Sequence, residues 1–406
     1  MIQTILNSWN DRLLRLAFLC ILLMGAAVAS IVPFQSIIGI ERLGLSDAAY
    51  AAISILGSGF SVAASILVGI FSDQTGRYRE VLIGSIIAGL LAACCMFFVP
   101  TQASFILVHM VLFPISATAF TQYFALASLA ARRNNRLDKE FSLSMIRAAF
   151  AGSFALTPPI WAIIVAGGVD LLVVYGFIAA VNVLVLVIVI RGWPRENTSQ
   201  TEEKSGISLF AALGELAAFP LLIRLVLIAV IVGMNGLYNI LLGLLVVNNL
   251  GGTESDVGWF AGGVALTEVP VMLMSALLIR RLTRRGAIFL GAMVYVAFLI
   301  ALAMIPSMAI AWWLIIPAGI GAGILLSITV GYIQDLVAHR AGAGSALVSV
   351  SHFGGMIFAS VILAAGSVVT DYVGIALIGA AIGFVAGLSL FVIDRPKADI
   401  QADTAI

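Results

Sequence analysis

Apolar residues run along this chain in blocks of about 20 or more, the length that carries an α-helix across the hydrocarbon core of a bilayer. Short polar or Gly/Pro-marked turns separate the blocks. Twelve blocks are drawn, at approximately 16–40, 49–72, 81–100, 103–131, 142–167, 170–191, 219–248, 256–280, 287–306, 310–337, 344–368 and 372–393. The predicted fold is an all-α integral membrane protein of twelve transmembrane helices. One polar interruption is much longer than the rest, RGWPRENTSQTEEKSG at 191–206, and it reads as a flexible linker between two six-helix bundles. The ISLFAALGELAAFP stretch that follows is amphipathic, a candidate helix for the cytoplasmic surface. The expected organisation is therefore an N-terminal bundle over 1–191, a linker over 192–218, a C-terminal bundle over 219–394 and a tail over 395–406.

Charge orients these spans. Arg77 and Arg79, then Arg132, Arg133, Arg136 and Lys139, then Arg191, Arg195 and Lys204, then Arg280, Arg281, Arg284 and Arg285, then Arg340 fall in alternate loops. Arg12, Arg15, Arg395 and Lys397 flank the two ends. The opposite loops, among them 100–103, 167–170 and 249–256, carry no Lys or Arg, with Arg42 as the exception. Because basic loops stay in the cytoplasm, both termini are expected there. A competing reading of the N-terminus is a cleavable signal peptide, since Arg12 and Arg15 precede LAFLCILLMG and the small-residue stretch AAVAS. Cleavage would leave eleven spans and break the match between halves, so a retained first helix is expected.

Composition narrows the class further. With 62% apolar and 10% charged residues and a mean hydropathy of +1.14, the chain has too little charge to cover a water-soluble core. The net charge of +1 carries no nucleic-acid footprint. Cys20, Cys94 and Cys95 lie inside apolar blocks without metal-ligand spacing and read as small core residues. The chain shows no Walker phosphate loop, HExxH zinc site or Gly-x-Ser-x-Gly nucleophile elbow. Neither an enzyme nor an ATP-driven pump is expected, nor a cofactor or metal. The expected partners are a small-molecule substrate, protons and the lipid bilayer around a monomer in a bacterial inner membrane.

Candidate chemistry lies in and between the spans. GIFSDQTGRYR at 69–79 places Gly69 for close helix approach, Asp73 as an anion at the membrane edge, Gly76 for a tight turn, and Arg77 and Arg79 to hold that turn in the cytoplasm. Glu268 lies near the middle of the eighth span, where an ionisable group is a functional hypothesis by default: it can bind substrate or carry a proton as water access alternates. Its structural alternative is a carboxyl group bonded to backbone freed where Pro270 breaks the helix. Arg147 near the cytoplasmic end of the fifth span can snorkel or pair with an acid. Asp335 at the matching end of the tenth span is a candidate for proton coupling and for a gate pair with Arg147 or Arg340, or else a solvated interface charge. Pro158 and Pro159 should bend the fifth span, and small residues around Gly152 should allow close packing.

Gln35, Gln122, Tyr123, Asn235, Tyr238, Asn239 and Trp259 form a polar and aromatic set suited to a sugar-like ligand, whose hydroxyls take amide partners and whose ring face stacks on aromatics. For each of them, interhelical hydrogen bonding is the plainer alternative. Asn182, His109 and His352 read as packing residues, and Trp312 and Trp313 as part of an interfacial aromatic belt.

The halves look related. TQYFALASLAARRN at 121–134 ends the fourth span as VGYIQDLVAHRA at 330–341 ends the tenth, while IRRLTRRGAIF at 279–289 keeps the basic residues of the opening signature without its acid. GIFSDQTGRYR resembles the helix 2 to helix 3 loop signature of the major facilitator superfamily. Within that superfamily the chain is similar to the sugar efflux transporter family, through TQYFALAS at 121–128 followed by MIRAAFAGSFALTPP at 145–159, Asn235 and Tyr238, Glu268 with Val269 and Pro270, and Gln334, Asp335 and Leu336 before Arg340, Ala341 and Gly342. The resemblance implies proton-coupled export of sugars or glycosides by alternating access. The chain departs from the pattern at Ala149, Thr121 and Leu241, where that family has Gln, Pro and an acid. Export of amphiphilic drugs or other metabolites by the same fold, and a membrane sensor that moves nothing, are the alternatives.

Overall fold

The computed structural model of the chain describes residues 11–75, 77–133, 139–192, 219–336 and 341–394. Within them there is no strand, and twelve helices are long and apolar enough to cross a membrane. They are α1 (Arg12–Ile31), α2 (Asp47–Thr75), α3 (Tyr78–Phe98), α4 (Gln102–Phe124, continuing as helix to Arg133), α5 (Lys139–Ala166), α6 (Val173–Gly192), α7 (Phe219–Asn248), α8 (Glu254–Ser275), α9 (Leu277–Met304), α10 (Met308–Leu336), α11 (Ala341–Val369) and α12 (Tyr372–Ile393). The linker at 193–218, the tail at 395–406, Gly76 and Arg340 lie outside the described residues, as does the Asp73 side chain.

Local chemistry sets the ends. The Asp11 carboxylate accepts from the backbone N–H groups of Leu13 and Leu14, both at 3.0 Å, and Asp371 does the same for Gly374 at 2.9 Å ahead of α12. Such a cap satisfies donors that the first turn leaves without partners. Pro33 lies in the 3₁₀ turn Val32–Phe34 that extends α1, and a π-helical stretch follows at Ile37–Arg42. A second π-helical stretch, Val108–Leu112, interrupts α4.

Pro270 does not break its helix as the sequence led one to expect. α5 runs unbroken through Pro158 and Pro159, and α8 through Pro270. The interruption comes later, at Thr283, whose φ of 61° is a costly conformation for a β-branched residue. One continuous helical run, Glu254–Met304, thus carries both α8 and α9, and its kink falls at Thr283 within the first turns of α9.

The chain divides into two compact units, one made of Met1–Glu203 with Thr253–Ala265, the other of Lys204–Gly252 with Leu266–Ile406. In the first, α1 packs along α5 and α6 packs along α3. The Ser153 hydroxyl on α5 donates to the Leu22 carbonyl on α1 at 2.9 Å. The start of α8 joins this unit although it follows α7 in sequence. In the second unit α7 packs along α11 and α12. Contact there is through small residues: a Cβ on Gly233 would stand 2.8 Å from the Gly355 carbonyl oxygen. Close backbone approach is how helices associate where lipid removes the hydrophobic drive between them. The pairing of α1 with α5 recurs as that of α7 with α11, in keeping with the internal likeness of the halves.

Candidate functional site

In the first unit, alternate loops meet at one end. Arg42, past the end of α1, donates from Nε and Nη2 to Glu254 Oε1 at 3.0 and 2.8 Å, and its Nη1 lies 3.9 Å from Asp170 Oδ2. Gln102 Nε2, at the start of α4, donates to the carbonyls of Leu43 and Gly44 at 2.9 and 3.0 Å. The basic residue that departed from the loop-charge pattern is thus held by two acids. The Glu254 hydrogen bond and the charges of both acids outweigh partial burial and raise the Arg42 pKa above its ordinary value, so the guanidinium stays charged.

Beside this cluster, α8 lies tight against α5. A Cβ on Gly258 would stand 2.6 Å from the Pro158 carbonyl oxygen, one on Gly262 only 2.2 Å from Pro159 Cγ, and the Ser255 hydroxyl donates to the Ala162 carbonyl at 2.9 Å. Sequence reasoning passed over this seam. Its signal was the Gly-x-x-x-Gly spacing of 258 and 262, a pattern that lets membrane helices touch.

At the opposite end of this unit, Arg79 Nη2 donates to the Ile190 carbonyl at 3.1 Å, tying the α2–α3 turn to α6. Arg77 is exposed, and its backbone N–H reaches the Thr75 hydroxyl at 3.3 Å. The role expected of Gly69 is not seen: a Cβ there would meet nothing within 4 Å. Gly152 is equally open, and its neighbour Ser153 makes the close contact instead.

Of the expected ligand residues in this unit, Gln122 and Tyr123 are buried in α4, and the Gln122 Oε1 accepts no hydrogen bond among the described residues. Gln35 is half-buried between the 3₁₀ and π turns. Trp259 is exposed. Arg147 is exposed, with its guanidinium carbon 6.0 Å from the Phe124 ring centre. Phe124 begins a run of rings across α4 and α5, Phe124 to Phe120 at 4.9 Å, Phe120 to Phe150 at 5.2 Å and Phe150 to Phe154 at 5.4 Å. His109 is buried, stacked on Phe105 at 4.0 Å with Nε2 3.1 Å from the Tyr175 hydroxyl, a packing arrangement.

In the second unit, Asn239 Nδ2 donates to the Asn235 side-chain and backbone oxygens at 2.8 and 3.0 Å, so the two amides bond to each other along one face of α7. Tyr238 between them is buried, its ring 5.5 Å from Phe298. Glu268 on α8 is half-buried, within electrostatic reach of Tyr238, and its carboxylate makes no hydrogen bond among the described residues. It is therefore not bonded to backbone around Pro270.

Charges gather at one end of this unit around a cavity of about 310 Å³ lined by Thr283, Arg285, Tyr332, Leu336 and Asp394 among others. Asp335 forms an ion pair with Arg284, while Arg340, one of its expected partners, lies outside the described residues. Asp394, which the sequence reading passed over, joins four helices: Arg224 Nε donates to it at 2.7 Å, the Tyr332 hydroxyl donates to Oδ2, and Arg285 Nη1 reaches its backbone oxygen at 3.0 Å. His352 is exposed and bonds the Val348 carbonyl at 2.9 Å. No three His, Cys, Asp or Glu among the described residues are grouped to hold a metal ion.

Comparison with known proteins places this architecture. The chain is 24% identical over 391 residues to a putative sugar efflux transporter of Deinococcus radiodurans, covering 93% of this chain and 97% of the relative. It is 28% identical over 299 residues to sugar efflux transporter B of Salmonella typhimurium, covering 71% and 74%. Among solved structures, the crystal structure of the nucleoside transporter NupG superposes with a TM-score of 0.78 over 95% of this chain and 99% of that one, at 14% identity. Residues 17–360 match the pattern of a single family, and the chain is a transporter belonging to the Major Facilitator Superfamily.

Proposed function

We propose that this transporter exports sugars or glycosides in exchange for protons, by alternating access. It is a multi-pass protein of the bacterial inner membrane. The observation that carries the proposal is Glu268: a carboxylate in a spanning helix, bonded to nothing among the described residues, in a chain whose relatives over most of its length are named sugar efflux transporters. A group so placed is available to a proton or a ligand hydroxyl. The linked amides of Asn235 and Asn239 and the open acceptor of Gln122 offer hydroxyl partners of the right kind. Arg147 positions an anionic group, and Asp335 is a second carrier or a gate through its pair with Arg284.

The reading includes cytoplasmic termini, two bundles joined by 192–218, and a protein working as a monomer. The basic loops place the Asp335 and Arg79 ends in the cytoplasm and the Arg42 end on the far side. The α5–α8 seam then closes the far side and must part for release. The latch of Asp73, Gly76, Arg77 and Arg79 serves the cytoplasmic side, with Gly69 and Arg340 beside it.

A second reading, export of amphiphilic compounds, draws on the phenylalanine run from Phe124 to Phe154. Counterflow of radiolabelled compounds in proteoliposomes, across sugars and cationic amphiphiles, separates the two. Sugar flux that free sugar competes and amphiphiles do not supports the first; flux of amphiphiles alone would replace it.

A further inference from the structure

The cavity at the charged end of the second unit is walled from three directions, by Thr283, Arg284 and Arg285 of α9, Tyr332 and Asp335 of α10, and Asp394 after α12. Its arginines are held in place by the protein itself. Arg284 Nη1 donates to the Gly331 carbonyl at 3.1 Å and pairs with Asp335. Arg285 Nη1 donates to the Asp394 carbonyl at 3.0 Å, with the guanidinium carbon 5.2 Å from the Phe391 ring centre. A carbonyl oxygen or a ring face orients a guanidinium without cancelling its charge.

Charge at this end does not balance. Among the described residues, Arg224, Arg280, Arg281, Arg284 and Arg285 stand against Asp335 and Asp394, five positive groups to two negative, which leaves three positive charges in excess. The Asp394 carboxylate is taken up by Arg224 and Tyr332. Arg280 and Arg281 are exposed just ahead of Thr283. Such a cavity suits a phosphate-bearing anion, and its rim narrows the class. Leu282, next to Thr283, is 41% exposed, and Val392 and Ile393, leading into Asp394, are 46% and 43% exposed. In a chain of twelve spanning helices, apolar surface that ends at a basic cavity meets acyl chains on one side and headgroups on the other.

We propose that this cavity binds the headgroup of an anionic phospholipid. Arg284 and Arg285 take the phosphodiester, Arg280 and Arg281 add attraction from the rim, and the acyl chains lie on Leu282, Val392 and Ile393. The volume of about 310 Å³ equals that of about ten waters, room for a phosphate with its glycerol. A headgroup seated there joins the Thr283 kink to the end of α12. Which leaflet supplies the lipid follows from the orientation of the basic loops, and the binding itself does not depend on it. Nor does it depend on what the transporter carries.

The test is native mass spectrometry of the purified full chain in detergent, titrated with phosphatidylglycerol, with phosphatidylcholine of the same acyl chains, and with inorganic phosphate. Phosphatidylglycerol should bind saturably and more tightly than the other two. An arginine beside an anionic lipid contributes about fivefold in affinity, so Arg280→Gln together with Arg281→Gln should weaken phosphatidylglycerol binding about 25-fold. Arg12→Gln with Arg15→Gln, equally exposed in the first unit, should leave it unchanged. Leu336→Trp, a larger side chain on the cavity wall, should displace the lipid without removing any charge. Equal affinity for the two lipids would reduce the site to apolar contact, equal losses in the two double variants would reduce it to a diffuse basic surface, and tight binding retained by Leu336→Trp would put it elsewhere. Each of these overturns the proposal. Inorganic phosphate that binds as tightly as the lipid would replace it with a site for free phosphate. Thermal unfolding checks that each variant is folded, and should Leu336→Trp not fold, Leu336→Phe takes its place with the same expected loss.

Discussion

Replacing Gly262 by alanine is a sharp test of the α5–α8 seam. The added methyl would stand 2.2 Å from Pro159 Cγ and 2.3 Å from Cδ. Apolar carbons rest at about 3.5–4.0 Å, so the helices must move apart by roughly 1.5 Å. The proline ring is fixed to its backbone and cannot swing aside. Overpacking of this kind costs about 1–3 kcal/mol, and a bias of that size changes a conformational equilibrium by about 5- to 150-fold. The seam-closed arrangement is the one penalised. The assay uses a single cysteine at Ser255, whose hydroxyl now bonds Ala162, in a background lacking Cys20, Cys94 and Cys95. Labelling by a membrane-impermeant maleimide should be slow in the parent and at least about fivefold faster with Gly262→Ala. Equal labelling rates in the two, with equal transport, would show that the seam neither closes that face nor resists separation.

Further outcomes are expected. Glu268→Gln should abolish proton-driven export while counterflow continues; retained coupling in vesicles would remove Glu268 from the mechanism. Arg42→Gln should raise the Ser255-site labelling only a few-fold, since a half-exposed ion pair contributes about 0–1 kcal/mol and salt screens it; an effect as large as that of Gly262→Ala would mean that charge, not packing, holds the seam. Asp394→Asn weakens the charge-assisted contacts of the carboxylate with Arg224 of α7 and Tyr332 of α10, so thermal unfolding should show a loss of about 1–3 kcal/mol, and an unchanged transition would leave the Asp394 carboxylate without a structural role. Gly69→Ala should leave stability within about 0.5 kcal/mol, a loss above about 1 kcal/mol speaking against its open surroundings.

Hydropathy alone made the twelve spans legible, because a bilayer demands long apolar runs with internally satisfied backbones. Pairing was less legible. Asp335 sits where the sequence placed it, at the end of α10, but its partner Arg284 lies on α9 just past the Thr283 kink, and nothing in the spacing of either residue selects one arginine among several. Asp394 drew no role from the sequence because its partners, Arg224 and Tyr332, are far from it in sequence. The α8 start packs with the first unit through two glycines, and glycine spacing names no partner. Pro270 misled in the other direction. Its ring removes one hydrogen bond, and α8 absorbs that loss without ending.

One continuous helix carries the seam glycines and, six residues beyond Gly262, the carboxylate of Glu268, about 9 Å along the same axis. Seam and acid are therefore linked variables in the thermodynamic sense. Whatever factor separates the proton affinities of Glu268 in the seam-open and seam-closed states is also the factor by which a proton shifts the seam equilibrium. Gly262→Ala, which touches no ionisable group, should on that account displace the pH profile of export, and the size of the displacement measures how tightly the pump is geared.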